Sequence, residues 1–292
     1  MVKRLLVVIA ATLLVASCSS TSQDSSATTD PRPSIVVTYS VLGALVEELV
    51  GDAALVTVVI PDGQDPHDFE PSAKDIEAIN EADLVVSNGL GFEEGLTNAL
   101  ESAAKRGVAH FVVTDHVATR THEGSTAIDP HVWLSPFTMS EMVNDLATVI
   151  GETLDVNLDA AADSVVEELT ALDERISSQL DELGDCTLVT GHDELGYFAD
   201  RYGCTIVGAV IPSFSTTAEA SAGELADLKA LVAEHHVRAI FTGLGTSADV
   251  VNRLSKELGI PAIELSTHFL NGVSTYDAFM TRLVDQIVGG LS

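Results

Sequence analysis

Short apolar runs that alternate with helical patterns are the feature that most restricts the fold of this chain. Each run is rich in Val, Ile and Leu, and each is followed by apolar residues at helical spacing. Strands that alternate with helices pair in parallel through crossover connections, so the pattern predicts an α/β fold. In the first part of the chain the runs are 34–39, 55–60, 84–87 and 109–113, and helical patterns cover 41–50, 72–81 and 93–106.

A helical stretch divides this alternation into two parts. Patterns at 137–154 and 158–183 precede a second series of strands at 187–190, 205–210, 238–242 and 261–265, with helices at 194–202, 221–234, 248–258 and 276–288. A helix of about 25 residues is about 38 Å long, enough to run along two lobes; a coiled-coil segment is the alternative. We therefore expect an N-terminal α/β lobe at 34–157, a linking helix at 158–183 and a C-terminal α/β lobe at 184–292, each lobe built on a parallel sheet.

The N-terminus has the features of an export signal. Lys3 and Arg4 precede an apolar stretch, 5–15, that is too short to span a bilayer comfortably. Val15-Ala16-Ser17-Cys18 follows and resembles a bacterial lipobox, in which the cysteine accepts the lipid; an ordinary secretory cleavage site is the alternative. This predicts a signal peptide at 1–17, lipidation of Cys18, and a flexible tether rich in Ser, Thr, Asp and Pro at 18–33. The mature protein would be anchored on the outer face of the cell membrane.

The strong negative charge excludes one class of partner. Fourteen Lys and Arg stand against 44 Asp and Glu, which gives a net charge of −30. Such a field repels nucleic acid and anionic lipid headgroups, because both carry dense negative charge. We therefore expect no nucleic-acid partner. The acidity does not by itself indicate a metal site, since it also serves solubility.

Two cysteines remain once Cys18 is assigned to a lipid. Cys186 and Cys204 each begin an apolar run, so they could face each other at the ends of neighbouring parallel strands. An even pair in an exported chain favours a disulfide, with two buried thiols as the alternative.

Four of the nine histidines fall where predicted strands end. His67 follows the second strand, His131 lies in the connection after the fourth, and His192 and His268 follow the first and last strands of the second lobe. In open parallel sheets ligands bind beyond the carboxyl ends of the strands, so these four imidazoles are candidates to converge in the cleft between the lobes. The other histidines are interpreted as structural or exposed: His110, His116, His122, His235 and His236.

The loop at 129–136, Asp-Pro-His-Val-Trp-Leu-Ser-Pro, presents His131 from a stiff backbone. Two prolines fix φ and restrict the residues before them, and the loop holds Trp133, the only tryptophan. A preorganised imidazole loses little freedom when it binds a metal. Acids adjoin the candidate histidines and could hold their second ring nitrogens. They are Asp68, Glu70, Asp129, Asp193 and Glu194.

Three motifs resemble those of the zinc/manganese solute-binding lipoproteins of bacterial ABC importers, the cluster A-I type. They are Asp65-Pro66-His67 with Phe69-Glu70-Pro71-Ser72, the loop at 129–136, and Gly191-His192-Asp193-Glu194-Leu195-Gly196-Tyr197-Phe198-Ala199 with Arg201-Tyr202-Gly203. The resemblance covers essentially the whole mature chain. It implies two α/β lobes joined by one rigid long helix, a metal held between them, and delivery of that metal to a membrane permease driven by a cytoplasmic ATPase.

Two departures from the family pattern bear on the choice of metal. Manganese-type members carry an acid after the strand that here ends at Thr242, where this chain has Gly243. The family's other acid is replaced by His268, with Glu264 as an alternative fourth ligand. Imidazole suits Zn²⁺ and carboxylate suits Mn²⁺, so the expected metal is zinc and manganese is the alternative.

The sequence thus predicts a monomeric binding protein rather than an enzyme. A surface zinc hydrolase is a second hypothesis, because three histidines and an open position also make a catalytic site. No HExxH spacing is present to supply its general base. A third hypothesis is an adhesin that uses the same fold as a contact surface.

Overall fold

A computed structural model describes residues 32–121 and 126–292. The predicted signal peptide, Cys18, all of the tether before Arg32, and His122 lie outside the described residues. Within them, no helix combines the length and the apolar character needed to cross a membrane.

The first half of the chain forms a four-stranded parallel sheet with helices between its strands. The strands are β1 (Ser34–Tyr39), β2 (Leu55–Ile60), β3 (Leu84–Ser87) and β4 (Ala109–Val112), and the helices are α1 (Ser40–Val50), α2 (Ala73–Glu81) and α3 (Thr97–Lys105). The strand order is β2-β1-β3-β4, with Val37 paired to Val58 on one side and Val86 on the other. All four residues of β3 are buried, as expected for a central parallel strand covered on both faces.

Two long helices follow this sheet: α4 (Pro136–Leu154) and α5 (Asp159–Leu183). Pro136 is the first residue of α4, where its fixed φ suits a helix start, and the Ser135 side chain accepts from the Thr138 N–H. The 25 residues of α5 bury Leu169, Leu172 and Ile176 along one stripe, while most charged side chains lie on the other face.

The second half repeats the strand arrangement of the first. Its elements are β5 (Thr187–His192), α6 (Gly196–Tyr202), β6 (Thr205–Ile211), α7 (Ala222–Glu234), β7 (Ile240–Thr242), α8 (Ala248–Leu258), β8 (Ala262–Glu264) and α9 (Tyr276–Leu291). The order is β6-β5-β7-β8, all parallel, so each sheet places its first strand second and its second strand at an edge. The predicted fold class, two parallel sheets flanked by helices, is confirmed.

The final helix packs against the first half of the molecule. α9 contacts α1 and α5, and its Phe279, Leu283 and Ile287 belong to the same large apolar core as the first sheet. A smaller core lies within the second sheet, around Val189 and Ile240. The C-terminal helix α9 therefore joins the two halves through buried apolar surface. Such burial stabilises the folded state by about 25 cal/mol per Å² removed from water.

The disulfide prediction is confirmed, and the helices predicted at 93–106 and 194–202 begin later in the structure than the sequence indicates. Cys186 and Cys204 are bonded, with their Cα atoms 4.7 Å apart. The pattern at 93–106 predicts one helix, whereas the chain makes a 3₁₀ turn at Glu94–Leu96 before α3. The Glu93 carboxylate accepts from the Asn88 N–H at 2.7 Å and from the Thr38 hydroxyl at 2.6 Å, so this side chain fixes the preceding loop instead of lying on a helix face.

Candidate metal site

Four buried histidines meet between the carboxyl ends of the two sheets. His67 lies in the loop after β2, His131 lies between β4 and α4, His192 ends β5, and His268 follows β8. None is more than 4% exposed. Each offers a ring nitrogen, and these four atoms lie within 4.8 Å of one another. The structure thus brings together all four histidines that the sequence selects.

Four buried ring nitrogens of the group have no hydrogen-bond partner in the described part of the chain. Nε2 of His192 and Nε2 of His131 are 3.2 Å apart. Among the described residues, no hydrogen bond reaches either nitrogen of His67, Nδ1 of His192 or Nε2 of His268, although all are buried. Buried polar atoms are nearly always paired in proteins, so such a group indicates a site for a cation. Four imidazole nitrogens are ligands that Zn²⁺ accepts in tetrahedral geometry, and the residues therefore fit that ion.

Asp129 fixes the orientation of His131. One carboxylate oxygen, Oδ1, accepts from Nδ1 of His131 at 2.8 Å and from the His131 backbone N–H at 3.0 Å. The other, Oδ2, is 2.8 Å from Nη1 of Arg120, whose Nε also reaches Asp200 at 2.7 Å. A proton on Nδ1 leaves the Nε2 lone pair directed at the other histidines, which is the arrangement of a carboxylate-supported metal ligand.

Burial keeps three of the imidazoles in their neutral form, because it lowers their pKa values. Desolvation, with the proximity of His131, lowers the pKa of His67 to about 3. The pKa values of His192 and His268 are lowered well below the ordinary value by the same burial and by the neighbouring histidines. At neutral pH these three rings therefore carry free lone pairs, as metal binding requires.

The acids of the site differ in part from those that the sequence selects. Glu264, the alternative fourth ligand, is exposed at the end of β8 and lies outside the four-histidine group. Asp68 and Glu70 are also exposed, and the acid that touches the His67 loop is Asp65, whose Oδ1 accepts from the His67 N–H at 3.1 Å. The signal for Asp65 was present, because it opens the Asp65-Pro66-His67 motif.

Glu194 is the buried acid beside the histidines of the second half. Its Oε1 lies 3.5 Å from Nδ1 of His192, and its Oε2 lies 3.8 Å from Nε2 of His268. Burial raises the pKa of Glu194 to about 7, while a hydrogen bond from Thr267 acts in the opposite direction. The prediction that an acid next to His192 lies near its second nitrogen agrees with this position.

Trp133 connects the loops that carry His131 and His268. Its ring lies 4.4 Å from that of Phe92 and 5.1 Å from that of Tyr39, measured between centroids. Its Nε1 donates to the Thr267 carbonyl at 2.6 Å, and the Tyr276 hydroxyl donates to the Trp133 carbonyl at 2.7 Å. No sequence pattern distinguishes Thr267 or Tyr276, because both contacts join residues more than 130 positions apart.

A cavity of about 410 Å³ leads to His67 from the surface. Its lining includes Leu90, Glu94, Phe214 and Ser215. Glu94 and Ser215 line it from the two halves, and the Ser215 hydroxyl donates to Glu94 at 2.9 Å. Beside Ser215, the Thr216 hydroxyl donates to Asp65 at 2.7 Å. The mouth of the site is therefore bounded by both halves of the molecule.

The remaining described histidines lie away from this group. Nε2 of His110 is 2.9 Å from the Ser87 hydroxyl, and Nδ1 of His116 is 2.9 Å from Asp145. His235 and His236 are exposed after α7. Their placement agrees with the structural or exposed roles that the sequence indicates.

Comparison with known proteins gives consistent matches along the chain. A family model described as ZnuA, zinc-uptake complex component A, periplasmic, matches residues 35–290. The high-affinity zinc uptake system protein ZnuA of Bacillus subtilis is 31% identical over 288 residues, covering 92% of this chain and 89% of the relative. The manganese-binding lipoprotein MntA of Halalkalibacterium halodurans is 28% identical over 269 residues, covering 88% of each.

The fold also matches a solved structure. The periplasmic zinc-binding protein TroA from Treponema pallidum superposes with a TM-score of 0.79 at 23% sequence identity, covering 89% of this chain and 99% of TroA. At this identity the likeness concerns the fold, and it extends over both sheets.

Proposed function

Because this chain belongs to the ZnuA family of zinc-uptake components, we propose that it captures Zn²⁺ outside the cytoplasm and delivers it to an ABC importer. Its relatives include proteins named for zinc and for manganese. Mn²⁺ is therefore the alternative cargo. The partners we propose are a membrane permease and the cytoplasmic ATPase that drives it.

The observation that carries the proposal is the group of four buried imidazoles. His67, His131, His192 and His268 each offer a nitrogen within 4.8 Å of the others, in a site where burial keeps three of the rings neutral. Nitrogen ligands favour Zn²⁺ over Mn²⁺, which prefers carboxylate oxygens. Gly243 offers no carboxylate where manganese-type members have an acid, which supports zinc as the cargo.

The same geometry favours transport over hydrolysis. A catalytic zinc keeps one position open for water, usually with three protein ligands. Here a fourth imidazole, His268, is only 1% exposed and adjoins the other three. A closed set of four protein ligands binds the ion without activating water, as a carrier requires.

Metal titration of the purified, chelator-treated protein tests the proposal. We expect one Zn²⁺ per chain, bound more tightly than Mn²⁺. Each of the four His→Ala variants should lose more zinc affinity than the ~10–100-fold that is typical when a residue behind a ligand is replaced. His235→Ala is the matched control, since that imidazole is exposed, and it should bind like the parent. Zinc binding that survives all four site substitutions would show that the ion is held elsewhere.

We further propose that the protein is a monomer held at the outer face of the membrane by lipid on Cys18. Signal peptidase would cleave before Cys18, and residues 18–33 would tether the binding domain. Expression of Cys18→Ser in the native host tests this. The variant should appear in the soluble extracytoplasmic fraction, whereas the parent should remain with the membrane; co-sedimentation of both would refute the anchor.

A further inference from the structure

We propose that Glu194 is the anionic positioning residue of the metal site, orienting both imidazoles of the second half and balancing the charge of the bound dication. This inference rests on the proposed function. It concerns a residue outside the four-histidine group, and three features of its surroundings support it.

The first feature is the position of the carboxylate behind two ligands. Oε1 of Glu194 is 3.5 Å from Nδ1 of His192, a buried nitrogen with no hydrogen-bond partner in the described part of the chain. A proton on this nitrogen would face the carboxylate and leave the Nε2 lone pair of His192 toward His131, 3.2 Å away. Glu194 thus lies behind His192 as Asp129 lies behind His131, at 3.5 Å where Asp129 makes a hydrogen bond of 2.8 Å.

The second feature is the position of the same carboxylate beside His268. Oε2 of Glu194 is 3.8 Å from Nε2 of His268, and both atoms are buried without a hydrogen-bond partner in the described part of the chain. On the other side of this ring, Oγ1 of Thr267 is 3.1 Å from Nδ1. One carboxylate therefore lies against the rings of both histidines of the second half.

The third feature is the charge balance of the site. The charge of Asp129 is offset by Arg120, at 2.8 Å. Glu93 is also buried, but it faces Thr38 and the loop at Asn88. Among residues 32–121 and 126–292, no Lys or Arg forms an ion pair with Glu194. Imidazole ligands bring no negative charge to a bound dication in a buried place, where charge is costly. Glu194, which lies against two of the rings, is therefore positioned to offset that charge, together with Asp65 of the His67 loop.

The test is zinc and manganese affinity of Glu194→Gln, a change that keeps the shape of the side chain and removes its charge. We expect ~10–100-fold weaker Zn²⁺ binding, the range for a partner that orients a ligand. Glu264→Gln is the matched control: it removes the same charge from the same half of the molecule at an exposed position, and it should bind like the parent. Parent-like zinc affinity of Glu194→Gln, within about threefold, would overturn the inference.

Two further measurements separate this role from a purely structural one. In the metal-free protein Glu194→Gln should be as stable as the parent or more stable, because an unpaired buried charge opposes folding. Glu194→Asp keeps the negative charge on a shorter side chain and should bind zinc more tightly than Glu194→Gln does. A lower stability of metal-free Glu194→Gln, or zinc binding by Glu194→Asp that is no tighter than by Glu194→Gln, would contradict the proposal.

Failure of this inference is distinguishable from failure of the proposed function. If the parent binds zinc, the His67→Ala variant does not, and Glu194→Gln binds like the parent, only the role of Glu194 is refuted. If the parent itself binds no zinc, the proposed function is wrong, and the role of Glu194 in it is wrong as well.

Discussion

Acid should destabilise the metal-free protein through His67, and the size of this effect follows from its pKa. Burial and the proximity of His131 lower the pKa of His67 to about 3. In the unfolded chain the same side chain titrates near ~6.5. Between these values the unfolded state binds a proton that the folded state does not, so stability falls as the pH falls. The contribution of His67 to the free energy of unfolding is therefore complete above pH ~6.5 and is lost progressively toward pH ~3.

The expected loss at pH 5 is about 2 kcal/mol from His67 alone, since pH 5 lies ~1.5 units below the unfolded pKa and each unit is worth ~1.36 kcal/mol. His192 and His268 act in the same direction, because burial lowers their pKa values too. Glu194 acts in the opposite direction: its pKa is raised to about 7, so its destabilising effect at neutral pH is relieved as it takes up a proton. The pH dependence of the free energy of unfolding is therefore the sum of opposing contributions, and the contribution of His67 must be measured separately.

Comparison of the parent with His67→Gln isolates that contribution. Urea unfolding of both proteins, in chelator at pH 7 and pH 5, gives four free energies of unfolding. We expect the parent to lose about 2 kcal/mol more than the variant on acidification, since Gln does not titrate. His235→Gln, which removes an exposed imidazole, should behave like the parent. Equal losses in parent and His67→Gln, to within ~0.5 kcal/mol, would refute the reasoning.

Two other perturbations concern contacts that hold the site and the second sheet. Thr216→Val removes the hydroxyl that donates to Asp65 at 2.7 Å. A hydrogen bond to a charged group is worth ~1.5–3 kcal/mol, so zinc should leave the variant about tenfold faster or more in a stopped-flow chelator assay. Thr216→Ser keeps the hydroxyl and should release zinc at the parent rate. Equal rates for the parent, Thr216→Val and Thr216→Ser would show that this contact does not slow zinc release. Replacing Cys186 and Cys204 together by Ser removes a disulfide between residues 18 positions apart and should lower the free energy of unfolding in urea by ~3 kcal/mol. The parent protein with its disulfide reduced should lose the same amount. An unchanged unfolding midpoint in the double variant would show that the bond adds no stability.

Several strands and helix starts were predictable because their signals are local. The run at 34–39 and strand β1 have the same bounds, and so do the run at 55–60 and β2. At the start of the predicted helix 72–81, Ser72 caps α2 through a reciprocal pair of hydrogen bonds with Asp75, at 2.8 and 3.3 Å. A cap or an apolar run depends on a few neighbouring residues, so the sequence contains all of the information that decides it.

The four histidines were predictable for a different reason. Each lies at or beyond the end of a parallel strand, and the carboxyl ends of such strands meet at one edge of a sheet, so topology places the side chains without any knowledge of their packing. The acids were less predictable, because which acid reaches a histidine depends on side-chain direction and burial. Glu264 and Asp68 are near ligands in sequence yet exposed, whereas Asp65 makes the contact with the His67 loop.

The long-range contacts of the site explain how a metal could be held and released without large movement of the two halves. Trp133 of the first half donates to the Thr267 carbonyl, next to His268, and α9 packs on α1 and α5. Separating the halves would break this buried hydrogen bond and expose the shared apolar core, both of which are costly. The contacts made by the loop that carries Ser215 and Thr216 are smaller: the two hydroxyls donate to Glu94 and Asp65 of the first half. Breaking these requires only a local change in one loop. The metal should therefore enter and leave by movement of the loop that carries Ser215 and Thr216, while the halves keep their arrangement.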